Sequence, residues 1–152
     1  GISFSGHITI LHWLSYNHFY DETAYLREKH EMAKLFPKRN SKDGWHATLN
    51  EALALPIPNG QRSSHVMEHG SMSVRLYAPK QVDSQSPHEQ DEIYVVASGT
   101  GWFVNGSRRH RFSAGDVLFV PAGVQHRFEE FGDNVAIWVI FYGPQGGETM
   151  HG

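Results

Sequence analysis

The sequence contains no cysteine, so disulfide bonds and thiolate metal sites are both excluded. Any metal ligands must therefore come from histidine, aspartate, glutamate or water. Long apolar runs are also missing, and the first 20 residues carry His, Tyr and Asn where a secretory signal would be apolar throughout. We therefore expect a cytoplasmic protein with no membrane partner.

A strong excess of charge of either sign is lacking as well. The formal net charge is -3 with histidine neutral, and the isoelectric point is about 6.4, which offers no cationic field for phosphate backbones. The basic run Arg108 to Arg111 is typical of the solvated edge of a hairpin, because it adds charge without an aromatic stacking platform. The sequence predicts no nucleic-acid partner.

The residues that are present describe a globular chain. Hydrophobic residues make up 39% of the 152 residues, aromatic residues 12% and charged residues 19%, a profile unlike that of disordered proteins. A chain of this length closes one hydrophobic core unaided. We expect one domain with an appendage.

The appendage is residues 1–45, which we predict to be a partly helical extension. Residues 21–36 have an acidic start, helix-forming composition and a proline directly after them. Apolar side chains near one face of this helix predict packing on the domain or on a second subunit, and we expect a homodimer. Residues 7–20 fit a strand or a short helix equally well, because neither periodicity dominates.

A different pattern begins after this extension. Thr48 and Glu51 have the spacing of a capping box and predict a short helix. From about residue 62 the chain shows short alternating segments separated by turn residues. Residues 72–78 alternate, with Met72, Val74, Leu76 and Ala78 on the buried face, and Asn105-Gly106 predicts a two-residue hairpin.

The count of these segments indicates the fold class. Seven or eight strands with tight connections and no alternation with helices predict an all-β protein, most simply a closed antiparallel barrel. We place the barrel in residues 46–145. Residues 146–152 have nothing evident to pack and are predicted to be a flexible tail.

Two segments of the predicted barrel carry residues suited to chemistry. In the first, alternate residues of an extended chain share a face, so Ser86, His88, Gln90, Glu92 and Tyr94 are predicted to point inward. A histidine and a glutamate spaced in this way carry little information alone. Their value depends on a second segment.

That second segment runs from Gly115 to His126. A buried strand leads into a turn in which Pro121 fixes φ and Gly123 can adopt positive φ, so that His126 returns toward the interior. Two imidazoles and a carboxylate would then converge inside an apolar barrel. A buried carboxylate needs a partner in order to remain charged, and a divalent cation is such a partner.

These two segments resemble the paired motifs of the cupin superfamily. The first motif reads G-x5-H-x-H-x3or4-E-x6-G, and its second histidine, glutamate and last glycine match His88, Glu92 and Gly99. The second motif reads G-x5-P-x-G-x2-H-x3-N, and four of its positions match Gly115, Pro121, Gly123 and His126. The resemblance covers residues 46–145 and implies a cupin-type antiparallel β-barrel, also called a double-stranded β-helix or jelly roll.

Three motif positions differ from the family. Lys80 stands at the leading glycine, Ser86 at the first histidine and Glu130 at the last asparagine, so the usual four ligands are reduced to His88, Glu92 and His126. Two histidines and one carboxylate have the composition of non-haem iron sites with open positions. We expect one divalent ion, Fe, Mn, Ni, Co, Cu or Zn, with Ser86 or Gln90 as a weak extra ligand.

Tyr94 and Phe128 share faces with Glu92 and His126 and are predicted to line a pocket, or to be ordinary core. The expected function is metal-dependent oxygenase, isomerase or lyase chemistry on a small molecule. Two alternatives stay open: a non-catalytic module that binds or senses a small molecule, and a barrel that lost its metal together with the first histidine. His65 and His69 are expected to face outward, or one of them to support a ligand.

Overall fold

The structure is a computed structural model that describes residues 46–149 together with Arg27. The chain divides into two units, Gly1–Lys42 and Asp43–Gly152, and all strands of the described residues belong to the second unit. The predictions for residues 7–20 and 21–36 lie outside the described residues, except that Arg27 is helical and exposed. Among the described residues, no helix has both the length and the apolar character needed to cross a membrane.

Helix α1, Leu49–Leu53, confirms the predicted capping box. The Thr48 side chain accepts a hydrogen bond from the backbone N–H of Glu51 at 3.2 Å, and the Glu51 carboxylate accepts one from the backbone N–H of Thr48 at 2.8 Å. Ala52 is buried, and its carbonyl accepts a hydrogen bond from the Ser64 hydroxyl at 3.1 Å. This short helix is thereby attached to the first strand.

Between residues 46 and 149, eight strands form two antiparallel sheets. The five-stranded sheet has the order β1-β2-β8-β3-β6 and the three-stranded sheet the order β5-β4-β7. The strands are β1 Ser64–His69, β2 Met72–Tyr77, β3 Asp91–Ser98, β4 Thr100–Asn105, β5 Arg108–Ser113, β6 Val117–Val120, β7 His126–Glu129 and β8 Ala136–Tyr142. The predicted all-β, cupin-type barrel is confirmed, and within residues 46–149 it is accompanied by one short helix.

Both sheets contribute to one core. Tyr94 and Ile137 from the larger sheet and Phe103 and Phe128 from the smaller one are at most 2% exposed and belong to the same cluster. Such interdigitation of two inner faces is typical of sheet-on-sheet packing. Side chains that alternate onto this inner face can therefore meet inside the barrel.

On strand β2, Ser73 and Arg75 are half-exposed, as the alternation of residues 72–78 predicts for this face, but Tyr77 on the same face is buried. Val74 and Leu76 are buried as expected, and helix α1 contacts this strand. Tyr77 belongs to the barrel core instead of the exposed face, and its hydroxyl donates to Asp83 at 2.7 Å. The face shared by Arg75 and Tyr77 is therefore the interior one.

The predicted hairpin is present, with its turn one residue later than expected. Asn105 pairs with Arg108, so Gly106 and Ser107 form the two-residue turn, and Gly106 has φ 58°. The Asn105 side chain is engaged elsewhere, because its amide donates to the Phe119 carbonyl at 2.8 Å.

The basic run of β5 lies on an edge strand, as predicted, but it does have an aromatic neighbour. The Arg109 guanidinium lies 4.1 Å from the centroid of the Trp102 ring and forms ion pairs with Glu129 at 2.9 Å and Glu130 at 2.7 Å. This cation is thus already paired within the chain. The Trp102 ring is covered by the Arg109 guanidinium.

Residues 146–148 are attached to the barrel, although the sequence predicted a flexible tail from residue 146. The backbone N–H of Gly146 donates to the Glu89 carbonyl at 2.6 Å, and that of Glu148 donates to the Asp91 carboxylate at 2.8 Å. Asp91 is 5% exposed. This buried acceptor explains why the segment is held, and no sequence pattern pointed to it.

Candidate metal centre

Two connected segments bring the candidate residues together. Glu92 lies on β3, which pairs with β6, and the turn after β6 continues the contact beyond the end of the strands. There the backbone N–H of Gly123 donates to the His88 carbonyl at 2.8 Å, and that of Ala122 donates to the Asp91 carboxylate at 2.9 Å. His88 therefore lies in the loop before β3, and not on the strand as the sequence predicted.

His126 is the first residue of β7 and returns from that turn into the interior. Gly123 has φ 77°, the positive value predicted for this position. The His126 Nδ1 atom lies 2.8 Å from the Val124 carbonyl, and only a protonated Nδ1 can donate to it. In the neutral ring the lone pair is therefore on Nε2.

The three side chains meet at this point. The Glu92 Oε2 atom lies 3.2 Å from His126 Nε2 and 3.5 Å from His88 Nε2, and one ligand atom from each residue lies within 4.8 Å of the others. The side chains of Glu92 and His126 are 1% and 0% exposed, whereas that of His88 is 30% exposed. His88 therefore marks the solvent side of the group.

These buried atoms have no hydrogen-bond partners. Among the described residues, nothing satisfies either carboxylate oxygen of Glu92 or the Nε2 atom of His126. With Nδ1 of His126 protonated, the lone pair of a neutral ring would face the carboxylate, and both groups would be desolvated without compensation. A proton on Nε2 or a cation between the groups removes that penalty, so the residues fit a metal ion.

The two imidazoles have pKa values that move in opposite directions. Burial lowers the pKa of His88, and the nearby Glu92 charge offsets this only in part. Burial acts in the same way on His126, but the contact with Glu92 and the bond to the Val124 carbonyl outweigh it and raise its pKa above the ordinary value. In the metal-free protein His126 is thus the ring that holds a proton more strongly.

The predicted pocket residues lie in the aromatic core around this group. The ring centroids of Tyr94 and His126 are 5.9 Å apart, and Phe128 lies 5.1 Å from Tyr94. Phe103, which the sequence analysis did not select, lies 6.2 Å from the His126 ring. Both predicted residues are therefore core side chains, and Tyr94 is the one beside a candidate ligand.

The two predicted weak extra ligands are placed elsewhere. Ser86 is exposed. The Gln90 amide donates to the Ser71 carbonyl at 3.2 Å and to the Gly143 carbonyl at 2.7 Å. The structure thus gives Gln90 a structural contact between two loops, and within residues 46–149 neither side chain forms a hydrogen bond to the three-residue group.

Gln85 is the polar neighbour that the sequence analysis missed. Its Oε1 atom accepts a hydrogen bond from the Tyr94 hydroxyl at 2.8 Å and lies 3.4 Å from His88 Nε2. It sits one residue before the motif position that Ser86 occupies. Because residues 78–90 form an irregular loop instead of a strand, side-chain alternation could not locate it.

Asp83 anchors this loop inside the barrel. Its carboxylate accepts hydrogen bonds from the Tyr77 hydroxyl at 2.7 Å, the Phe128 backbone N–H at 2.7 Å and the Gln85 side-chain amide at 2.8 Å. Asp83 is 8% exposed. In the sequence it lies in a polar run that has the composition of a solvated loop, so no signal marked it as buried.

The histidines of β1 are outside this site. His65 lies 3.0 Å from the Glu68 carboxylate, and both side chains are partly exposed. His69 is exposed. The outward-facing interpretation therefore agrees with the position of His69, whereas His65 pairs with Arg75 and lies on the interior face of the sheet.

Motif positions shared with the cupin family have backbone reasons here. Gly99 has φ 84°, and an added Cβ would lie 2.8 Å from the Val135 Cα, so only glycine fits. Glu130, where the family has asparagine, has φ 51°. Asparagine would adopt this left-handed conformation at a lower cost than glutamate does.

Comparison with known proteins agrees with the fold and the motifs. The family model of the cupin domain matches residues 73–142. An uncharacterized protein of Streptomyces coelicolor is 40% identical over 99 residues, which are 64% of this chain and 94% of that protein.

Solved structures show the same architecture. A Rhizobium leguminosarum protein of unknown function has a TM-score of 0.54 at 16% identity, covering 66% of this chain and 97% of its own. A cupin-2 domain protein of Shewanella frigidimarina has a TM-score of 0.51 at 19% identity, covering 63% and 93%. These structures show the fold, and the match to the cupin-domain family model together with the two motifs shows that the chain belongs to the cupin superfamily.

Proposed function

We propose that this cupin binds one divalent transition-metal ion through His88, Glu92 and His126 and uses it for chemistry on a small molecule. One observation carries the proposal: a fully buried carboxylate faces an imidazole whose Nδ1 is already hydrogen-bonded, and neither the carboxylate nor the facing Nε2 has a hydrogen-bond partner among the described residues. Such an arrangement is unfavourable unless a proton or a metal ion lies between the two groups, and the ion is the partner that the third ligand, His88, also suits.

The ligand types suit this role. Two neutral imidazoles and a carboxylate, with no thiolate available, are appropriate for Fe, Mn, Co, Ni, Cu or Zn. The Val124 carbonyl orients His126 and fixes its tautomer by accepting a hydrogen bond from Nδ1. In metal sites the ring nitrogen that does not bind the metal commonly has such an acceptor. When bound, the ion would act as a Lewis acid toward an oxygen-bearing substrate, in oxygenase, isomerase or lyase chemistry.

The protein's own residues provide access on one side and exclude water on the other. His88 is the partly exposed member of the group, so a small molecule would approach past it. Behind the group, Tyr94 and Phe103 are fully buried and lie within about ring-contact distance of His126. This apolar wall favours direct interaction of a ligand with the site over interaction through water.

A second candidate function is binding or sensing without turnover. The polar side chains described beside the group are Gln85 and Tyr94, and burial followed by the Glu92 charge raises the pKa of Tyr94 far above neutral. Neither is a general base at neutral pH. In the manganese-loaded protein, rapidly exchanging water at the ion, seen by water-proton relaxation, would favour the catalytic candidate, and its absence would favour sensing.

Metal analysis of protein purified without an affinity-column metal tests the proposal. We expect about one ion per chain in the wild type and less than about a tenth of that in Glu92→Gln and His126→Ala. Loss of a group that only hydrogen-bonds to a metal ligand already lowers metal affinity about 10- to 100-fold, and loss of a ligand itself should lower it at least as much. His110→Ala is the matched control, since His110 is an exposed histidine of β5. It should retain the wild-type content.

Loss of the ion must be separated from loss of the fold. Circular dichroism and thermal unfolding of each variant therefore accompany the metal analysis. Folded variants with unchanged ion content would contradict the proposal. They would redirect attention to the histidines of residues 1–45.

A further inference from the structure

A cationic side chain lies beside the solvent side of the candidate metal centre. Arg75 is on the interior face of β2 next to Tyr77 and pairs with Val139 on β8. Its guanidinium carbon lies 5.8 Å from the centroid of the Phe141 ring, and that ring meets the ring of His88 edge-on at 4.9 Å. Arg75, Phe141 and His88 are all partly exposed, so they border the same approach.

The guanidinium of Arg75 is only partly satisfied. Its Nη1 atom donates to the Gln61 side chain at 2.9 Å, while its Nε atom is buried and has no hydrogen-bond partner. No carboxylate of the described residues lies within 4.0 Å of it, in contrast to Arg109, which pairs with two. A buried donor without an acceptor is rare in native proteins and requires an explanation.

The free atoms of this guanidinium have the geometry of an anion site. With Nη1 used by Gln61, the edge formed by Nε and Nη2 remains, and two parallel N–H groups on one edge match the two oxygens of a carboxylate. Phe141 beneath the plane holds the group in place through its ring face. A single edge of two donors satisfies both oxygens of one carboxylate, whereas a phosphate bound in the same way would have further oxygens without a donor from this edge.

The charges around the approach point to the same ligand class. A divalent ion contributes +2, Glu92 contributes -1 and Arg75 contributes +1. The charges of Arg62 and Asp83, which also act on these groups, cancel, so the loaded site has a local charge of +2. An organic acid with an anionic group at the ion and a carboxylate at Arg75 would neutralise it, and burial strengthens both interactions. A neutral substrate would leave the charge of Arg75 uncompensated.

We propose that Arg75 binds the carboxylate of the small molecule that the metal centre accepts, and that this cupin therefore acts on or senses small organic acids. The ligand would lie across Phe141, with one end at the Nε–Nη2 edge of Arg75 and the other beside His88. This inference rests on the proposed metal site for the position of the second end. The contact at Arg75 can be measured independently of the ion.

The test is calorimetric titration of manganese-loaded protein with acetate, malonate and succinate. Malonamide serves as the uncharged analogue of malonate, and inorganic phosphate as the competing anion. The proteins are wild type, Arg75→Gln and Arg108→Gln, the last being the matched control because Arg108 is an exposed arginine of β5. Ion content and thermal unfolding are measured for each protein beforehand.

We expect at least one of the three acids to bind wild type and Arg108→Gln equally and to bind Arg75→Gln about 10- to 100-fold more weakly, as for the loss of a charge-assisted hydrogen bond. Arg75→Gln should keep its ion, and malonamide should bind weakly to all three proteins. Equal affinities of Arg75→Gln and wild type, no affinity of wild type for any acid, or a preference for phosphate would overturn the proposal.

Failure of the metal proposal gives a different result. If wild type takes up no ion, the same titration on metal-free protein still tests Arg75. Weaker acid binding by Arg75→Gln than by wild type would then support the carboxylate contact on its own. No difference between them, or no binding by either, would contradict it.

Discussion

Glu92 has an unfavourable environment when no cation is bound. It is 1% exposed, and neither oxygen has a hydrogen-bond partner. Its facing group, Nε2 of His126, can hold a proton only at the expense of binding an ion. A residue in this setting reduces the stability of the metal-free protein and increases its affinity for a metal.

Glu92→Gln should therefore separate stability from metal binding. At a pH above the raised pKa of His126, the substitution removes a buried charge and provides an amide donor for Nε2. We expect the metal-free variant to be about 1–2 kcal/mol more stable than the metal-free wild type. Urea unfolding of both proteins measures this difference, and a variant less stable by a similar amount would show that Glu92 has partners which the structure lacks.

The pH dependence of metal affinity is also argued at this scale. The raised pKa of His126 means that the metal-free protein binds a proton which the ion must displace, whereas the lowered pKa of His88 adds no competing proton until the pH is lower. Affinity should fall about tenfold per pH unit as the pH drops through the His126 pKa, with release of about one proton per ion. Below the pKa of His88 the slope should steepen.

The same shifts fix the sign for stability. In the metal-free protein, the contact of protonated His126 with Glu92 stabilises the fold at low pH. This stabilisation is lost as the pH rises through the raised pKa of His126, so the ion stabilises the fold most at pH values above that pKa. Calorimetry in two buffers of different ionisation enthalpy counts the released protons. Affinity that stays constant until well below the ordinary imidazole range would contradict this account.

Among the elements, the loop of residues 78–90 decides whether the site is formed. It carries His88 and Gln85, has no regular structure, and is attached to the interior through Asp83. Strand pairing positions Glu92 and the turn positions His126, but the loop is held by side-chain hydrogen bonds. Asp83, which anchors this loop, is therefore a positioning residue for the metal centre.

Asp83→Ala should weaken both stability and metal affinity. It leaves the Phe128 backbone N–H and the Tyr77 hydroxyl unsatisfied in the core, which should reduce the free energy of unfolding by about 3 kcal/mol. Asp133→Ala is the matched control, because Asp133 is exposed. Urea unfolding and metal titration check both effects, and values for Asp83→Ala within about 0.5 kcal/mol of wild type would show that this anchor is dispensable.

The sequence predicts strands better than loops for a physical reason. Alternation, turn residues and the capping box are local, and they located α1, β2 and the hairpin of β4 and β5 and predicted the number of strands. The roles of Asp83, Gln85 and Arg75 depend on partners far along the chain, so no local pattern reveals them. Even in β2 the alternation did not predict the burial of Tyr77. Its hydroxyl donates to the buried carboxylate of Asp83, a partner that no local pattern reveals.

For the whole molecule, two sheets with one aromatic core provide a rigid frame for three ligands that are brought together by strand pairing. The same frame exposes Val117 and Phe119 on β6, an edge strand of the larger sheet. Association as a homodimer and the packing of residues 1–45 stay predictions. Neither affects the assignment of the metal centre, whose residues all lie in the barrel.

The central claim is that one ion lies between His88, Glu92 and His126. Anomalous X-ray scattering from crystals of the metal-loaded full chain tests it most directly. We predict one strong peak per chain at about 2.0–2.2 Å from Nε2 of both histidines and from a Glu92 oxygen. A peak at other residues, or none at this position in protein that retains its ion, would contradict the account.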